Sequence, residues 1–170
     1  IIDDMENVII IKEATLGYED VEPLIIQGHL DMVCEKRPDK EKDFLTDGLD
    51  LCTDGELIWA DGTTLGGDNG IAVAMIMAIL ESKELSHPPI EAVFTTDEEI
   101  GMIGATKLDF SLLKSKKMIN IDSEEQNVVT VSCAGGSDVK IESAITRKKV
   151  KKDIVTLKIE DLKGGHSGVE

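Results

Sequence analysis

The chain has 170 residues, of which 41% are hydrophobic, enough for one sizeable core or for one core plus the start of a second. A formal net charge of -16 disfavours a nucleic-acid partner, because phosphate binding needs a basic patch; the one cluster of bases, Arg147 to Lys152, reads as a solvated turn between strands. Cys34, Cys52 and Cys133 are odd in number and far apart, which argues against a disulfide framework or a thiolate zinc site and fits a reducing, cytoplasmic compartment, while the longest apolar stretch, Ile71 to Leu80, is about half of what a membrane span requires.

The opening Ile1-Ile2-Asp3-Asp4 has neither an initiator Met nor the basic flank of a signal peptide, and reads as a cut inside a longer protein. Asn7 to Glu13 and Pro23 to Gln27 are short, β-branched and separated by a polar loop, as strands of a buried sheet would be. The charged segment from Glu35 to Gly55 reads as a long surface loop. Asn69 to Lys83, apolar on nearly every side, predicts a buried helix capped by Asp68 or Asn69. His87-Pro88-Pro89 closes that unit as a surface turn, and Ile90 to Thr96 and Lys117 to Ile121 follow as strands. After Gly135-Gly136 the texture changes to alternating strands, Asp138 to Thr146 and Asp153 to Glu160. A boundary near Gly135 therefore divides residues 1–135 from residues 136–170. The fold class expected is α/β, a mostly parallel sheet with helices on both faces.

In open α/β sheets ligands bind outside the carboxyl ends of the strands. Three groups fall there. In His29-Leu30-Asp31 both polar side chains project to one face of an extended strand, so the carboxylate can hold the imidazole of a ligating histidine; by itself the tripeptide is as well explained as a polar strand end. Glu98-Glu99 offers one carboxylate to a metal and leaves its neighbour free as a general base, although acidic pairs in loops are most often solvated charge. Asp122 repeats the pattern. Asp68, between Gly66-Gly67 and Asn69-Gly70, could bridge two metal ions, with a helix N-cap as the plainer reading. One histidine and several carboxylates without thiolates form a hard N/O set suited to catalytic zinc, manganese or cobalt.

Five motifs in order make the chain recognisable: Ile26 to Glu35 (IQGHLDMVCE), Ala60 to Gly70 (ADGTTLGGDNG), Phe94 to Met102 (FTTDEEIGM), Asn120 to Glu125 (NIDSEE) and Gly164 to Gly168 (GGHSG). Together they resemble the successive motifs of the Xaa-His (aminoacyl-histidine) dipeptidases, also called cytosol non-specific dipeptidases, over nearly the whole chain. The resemblance implies that residues 1–135 are a catalytic metal-binding domain and 136–170 the start of an α+β lid, with a two-zinc site in which His29, Asp68, Glu99 and Asp122 are ligands and Asp68 bridges. It also implies that Asp31 orients His29, that Glu98 is the general base, and that His166, in the lid, stabilises the oxyanion. Further implications are dipeptide substrates of the carnosine type and broader, cytoplasmic location, no membrane or nucleic-acid partner, and a homodimer formed through the lid. The family completes its second metal site with a histidine far downstream, so this chain is expected to be an amino-terminal piece that binds metal weakly and turns over little substrate by itself. Two alternatives stay open: a related two-zinc aminoacylase, deacylase or carboxypeptidase, and a non-catalytic metal-binding module, against which Glu98 beside Glu99 argues.

Overall fold

The β-branched runs pair as the composition demands. In the computed structural model, which describes residues 1–123, 125, 127–132, 139–149 and 155–158, β1 (Val8–Lys12), β2 (Leu24–His29), β5 (Ile90–Thr95) and β6 (Met118–Asn120) form one sheet in the order β1-β5-β2-β6. β2 runs parallel to both β5 and β6, and β1 is antiparallel to β5. The sheet is thus mixed but mostly parallel. β5 lies between β1 and β2, and each of its six residues is buried, as a strand covered on both faces and paired on both edges must be.

Alternation along the strands sends Ile26, Ile90, Ala92 and Phe94 to one face and Ile9, Ile25 and Val93 to the other. The first face is covered by helix α1 (Gly67–Glu81) through Ile76, with Val73, Ile79 and Leu80 at the margin. The second is covered by Leu108, Leu112 and Leu113, which follow the short helix α2 (Ile103–Lys107) and run through a 3-10 turn at Phe110–Leu112. Lys12 ties the end of α1 to the sheet, its ammonium donating to the carbonyls of Ile79, Leu80 and Ser82 at 2.8–2.9 Å, so it satisfies orphan carbonyls and complements the negative helix end.

Four expectations need correction. Neither Asp68 nor Asn69 caps α1: Gly66 is the N-cap, in the left-handed region at φ 75°, no side chain caps the end, and Asp68 and Asn69 have non-helical backbones joined by a cis peptide. Nor is α1 buried all round. Asn69, Ala72 and Ile76 face the sheet, whereas Ile71, Met75 and Met77 are exposed, because the helix meets only one layer within this unit. The segment Glu35 to Gly55 ends in a strand, β3 (Leu51–Thr53), which pairs with β4 (Ile58–Ala60) across a turn where Asp54 accepts the N–H groups of Glu56 and Leu57. The Asp54-Gly55 pair, with Gly55 at φ 97°, was the available turn signal. His87 is buried rather than a surface turn residue, because its main chain pairs with Thr15 in the strap beyond β1.

Residues Ile1–Val128 form one compact unit and Val129–Glu170 another. Gly135 and His166 lie outside the described residues. The strands expected at Asp138 to Thr146 and Asp153 to Glu160 are not formed among the described residues 139–146 and 155–158. Among the described residues no helix is long and apolar enough to cross a membrane.

Candidate metal centre

Strand register creates the site. His29 is paired with Thr95 at the end of β5, and Gln27 with Asn120 at the end of β6, so Asp122, two residues on, comes level with His29. Parallel strands deliver these residues to the same edge of the sheet, where the Glu98-Glu99 loop also leaves β5. Asp68 arrives from the opposite direction, at the start of α1. Gly28 allows this approach: a Cβ there would stand 2.6 Å from the Asn69 side-chain oxygen and 2.9 Å from the Ala72 Cβ.

Asn69 then pins the junction. Its side-chain oxygen accepts the His29 N–H at 3.2 Å, and its amide nitrogen donates to the Ile121 carbonyl at 3.3 Å, so one buried side chain links the ends of β2 and β6. This residue was missed as anything but a helix cap, since its neighbour Asp68 and the following apolar run gave the same local signal.

His29 is the buried centre of the group, 2% exposed. Its Nε2 is 3.0 Å from the Asp68 carboxylate and 4.0 Å from that of Glu98. Its Nδ1 is 2.9 Å from the Asp31 main-chain carbonyl and 3.5 Å from the Asp31 carboxylate. The expected contact between His29 and Asp31 is therefore made chiefly through the backbone. The Asp31 carboxylate does something else as well: its two oxygens accept the N–H groups of Glu98 and Glu99, each at 3.1 Å. Asp122 is held by a second route, in which Thr95 Oγ1 accepts from Gln27 at 3.0 Å, Gln27 accepts from Asn120 at 2.5 Å, and Asn120 accepts the Asp122 N–H at 3.0 Å.

His29, Glu98 and Glu99 bring ligand atoms within 4.8 Å of one another, and so do His29, Asp68 and Asp122. Both sets share the histidine. The fit to a cation follows from its ring: each nitrogen faces an acceptor, yet a neutral imidazole carries only one proton. A second proton on the ring would satisfy both acceptors. Burial opposes this, but the Asp68 hydrogen bond, the Asp31 carbonyl and the charges of Asp31 and Glu98 outweigh burial and raise the His29 pKa above its ordinary value. A divalent ion between Nε2 and the carboxylates would replace that proton. The 3.0 Å separation suits two ligand atoms each about 2.0–2.1 Å from one zinc ion.

Glu98 has a different character. Burial, above all, pushes its pKa up; His29 opposes, and the charges of Asp122, Glu99 and Asp31 push up again. Glu98 and Asp122 also line a cavity of about 280 Å³, together with the apolar side chains of Val93, Leu108, Leu113 and Met118.

No family model matches the chain. The chain is 42% identical over 170 residues, 99% of its length, to the cytosol non-specific dipeptidase of Escherichia coli strain K12. It is a relative of the Xaa-His dipeptidases. The crystal structure of aminoacylhistidine dipeptidase from Vibrio alginolyticus superposes with a TM-score of 0.69 at 46% identity, covering 73% of this chain and 25% of that one. A tripeptidase from Staphylococcus aureus superposes with a TM-score of 0.57 at 25% identity, covering 70% of this chain and 30% of that one. The chain spans 35% of the length of the Escherichia coli relative. The family named from the five motifs and the mostly parallel sheet flanked by helices both agree with these matches.

Proposed function

We propose that the protein containing this chain is a metal-dependent dipeptidase that hydrolyses Xaa-His dipeptides and a broader set of dipeptides, with His29, Asp68, Glu99 and Asp122 holding two divalent ions, zinc first among them, and Glu98 acting as general base. The observation that carries the reading is the convergence of one buried imidazole and four carboxylates at the carboxyl edge of parallel strands. Similarity to the dipeptidases supports the substrate class.

When bound, the ions would polarise the scissile carbonyl and make water a better nucleophile near neutral pH. The protein groups supply the rest. Glu98, half-buried and with a raised pKa, takes the proton of the attacking water and returns it to the leaving amine; its main-chain N–H, like that of Glu99, is held by the Asp31 carboxylate. Asp68, with its side chain 70% exposed, is open to bridging on the side away from His29. Asp31 ties the histidine and the two glutamates into one frame. His166, outside the described residues, is proposed to stabilise the oxyanion from the lid, and the lid to form a homodimer contact.

The test is hydrolysis of carnosine, a neutral dipeptide, a tripeptide and an N-acetyl amino acid by the complete protein, with zinc and after chelation. The reading expects cleavage of both dipeptides, lost on chelation. A tripeptide preferred over both dipeptides would favour an aminopeptidase instead, a second reading supported by the similarity to the Staphylococcus aureus tripeptidase. Cleavage of only the acylated amino acid would overturn the substrate class and leave the metal site standing.

A further inference from the structure

Asn7 lies at the start of the chain, outside every motif and just before β1, yet its side chain is 0% exposed. Its oxygen accepts the Thr96 N–H at 3.1 Å, and its nitrogen donates to the Gly104 carbonyl at 3.0 Å and to the Asp3 carboxylate at 2.8 Å. Asp3 in turn accepts the main-chain N–H of Asn7 at 2.9 Å, so the amide is fixed at both ends.

Thr96 and Gly104 are the two feet of the loop that carries Glu98 and Glu99. Within it, Gly104 N–H bonds to the Thr96 carbonyl at 3.1 Å, Ile103 N–H to Asp97 at 3.0 Å, and the N–H groups of Gly101 and Met102 to Glu98 at 2.9 Å. A Cβ on Gly104 would stand 2.6 Å from the Asn7 oxygen and closer still to the Thr96 carbonyl, so the feet and the amide are packed without slack. Asp97 and Met102 both sit at φ 54°, left-handed conformations that side-chain-bearing residues keep only where the surroundings over-determine them.

We infer that Asn7 is a positioning residue that clamps both feet of the Glu98-Glu99 loop, while Asp31 holds its tip, so that the two carboxylates keep a fixed aim at the site. The inference rests on the proposed roles of Glu98 and Glu99. A residue that only stabilised the fold would, once lost, lower the melting temperature and leave kcat unchanged in the folded fraction.

The test uses the complete protein and compares Asn7→Ala with Ile9→Val, a control in the adjoining β1 whose buried side chain packs in the cluster of Ile25, Val93 and Leu108. Two quantities are read at a temperature where all variants are folded: kcat and KM separately, and amide hydrogen exchange of residues 96–104 in the metal-free protein. Asn7→Ala is expected to lower kcat by roughly 10- to 100-fold with KM little changed, and to speed exchange in the loop, whereas Ile9→Val does neither. Asp3→Asn, which leaves the bonds to Thr96 and Gly104 in place, should give a smaller loss. If Asn7→Ala does not fold, Asn7→Ser, which still offers an acceptor to Thr96, is judged by the same readouts. Unchanged kcat together with unchanged exchange in a folded Asn7 variant overturns the inference. If Glu98→Gln proves fully active, the base assignment fails separately, and the exchange data alone decide whether Asn7 holds the loop.

Discussion

Replacing Gly28 by Ala tests how the two halves of the site meet. The new Cβ would stand 2.6 Å from the Asn69 oxygen and 2.9 Å from the Ala72 Cβ, so the start of α1 must retreat by about 0.8 Å to reach ordinary contact. Overpacking of this kind costs about 1–3 kcal/mol, partly offset because Ala is favoured over Gly in a strand by roughly 0.5–1 kcal/mol. The retreat also stretches the 3.2 Å bond from His29 N–H to Asn69 and carries Asp68 away from Nε2. Displacing the support of a ligand typically costs about 10- to 100-fold in metal affinity. Urea unfolding and zinc competition against a chelator measure the two effects. Because Asn69 is the nearer obstacle, adding Asn69→Ala should cost less on top of Gly28→Ala than it does alone. A Gly28→Ala protein with parental stability and parental zinc affinity would refute the account of how α1 reaches β2.

Three further outcomes follow from the same geometry. Asp31→Asn leaves one oxygen to serve two N–H donors, so zinc affinity should drop by about 10- to 100-fold in a chelator titration, with kcat falling alongside. Glu98→Gln should lower kcat by about 10²–10⁴-fold in steady-state assays while zinc affinity is little changed. Asp50 and Asp61 are held below the ordinary carboxylate value, each chiefly by its hydrogen bond from Lys40. A carboxylate whose folded pKa is depressed adds stability above its unfolded value of 3.8, and that contribution is lost as pH falls through the folded value. Carboxyl NMR titration should therefore find both midpoints below 3.8, and Lys40→Met should move both upward.

Much of the site was legible because strand ends are legible. Short β-branched runs followed at once by His29, Glu98 or Asp122 need only a parallel sheet to bring those residues to one edge, and composition together with local pattern is enough to argue for such a sheet. The five motifs added the family. What local pattern could not carry was anything that depends on approach between distant segments. Asp68 and Asn69 look like helix caps because an N-cap and a ligand platform use the same short polar residues, and only the packing of α1 on Gly28 turns them toward His29 and Ile121. The helix reads as buried on all sides, since its sequence is apolar throughout, but how many layers cover it is a property of the assembly. Asp31 reads as a partner of His29, which it touches, but the fold also gives its carboxylate to the Glu98 and Glu99 amides, which lie 67 and 68 residues away in sequence. Asn7 carries no local signal whatever. The residues that can ligate or transfer protons are set by side-chain chemistry at strand ends and can be named from sequence; the residues that aim them act through buried hydrogen bonds between remote segments, and those exist only once the chain has folded.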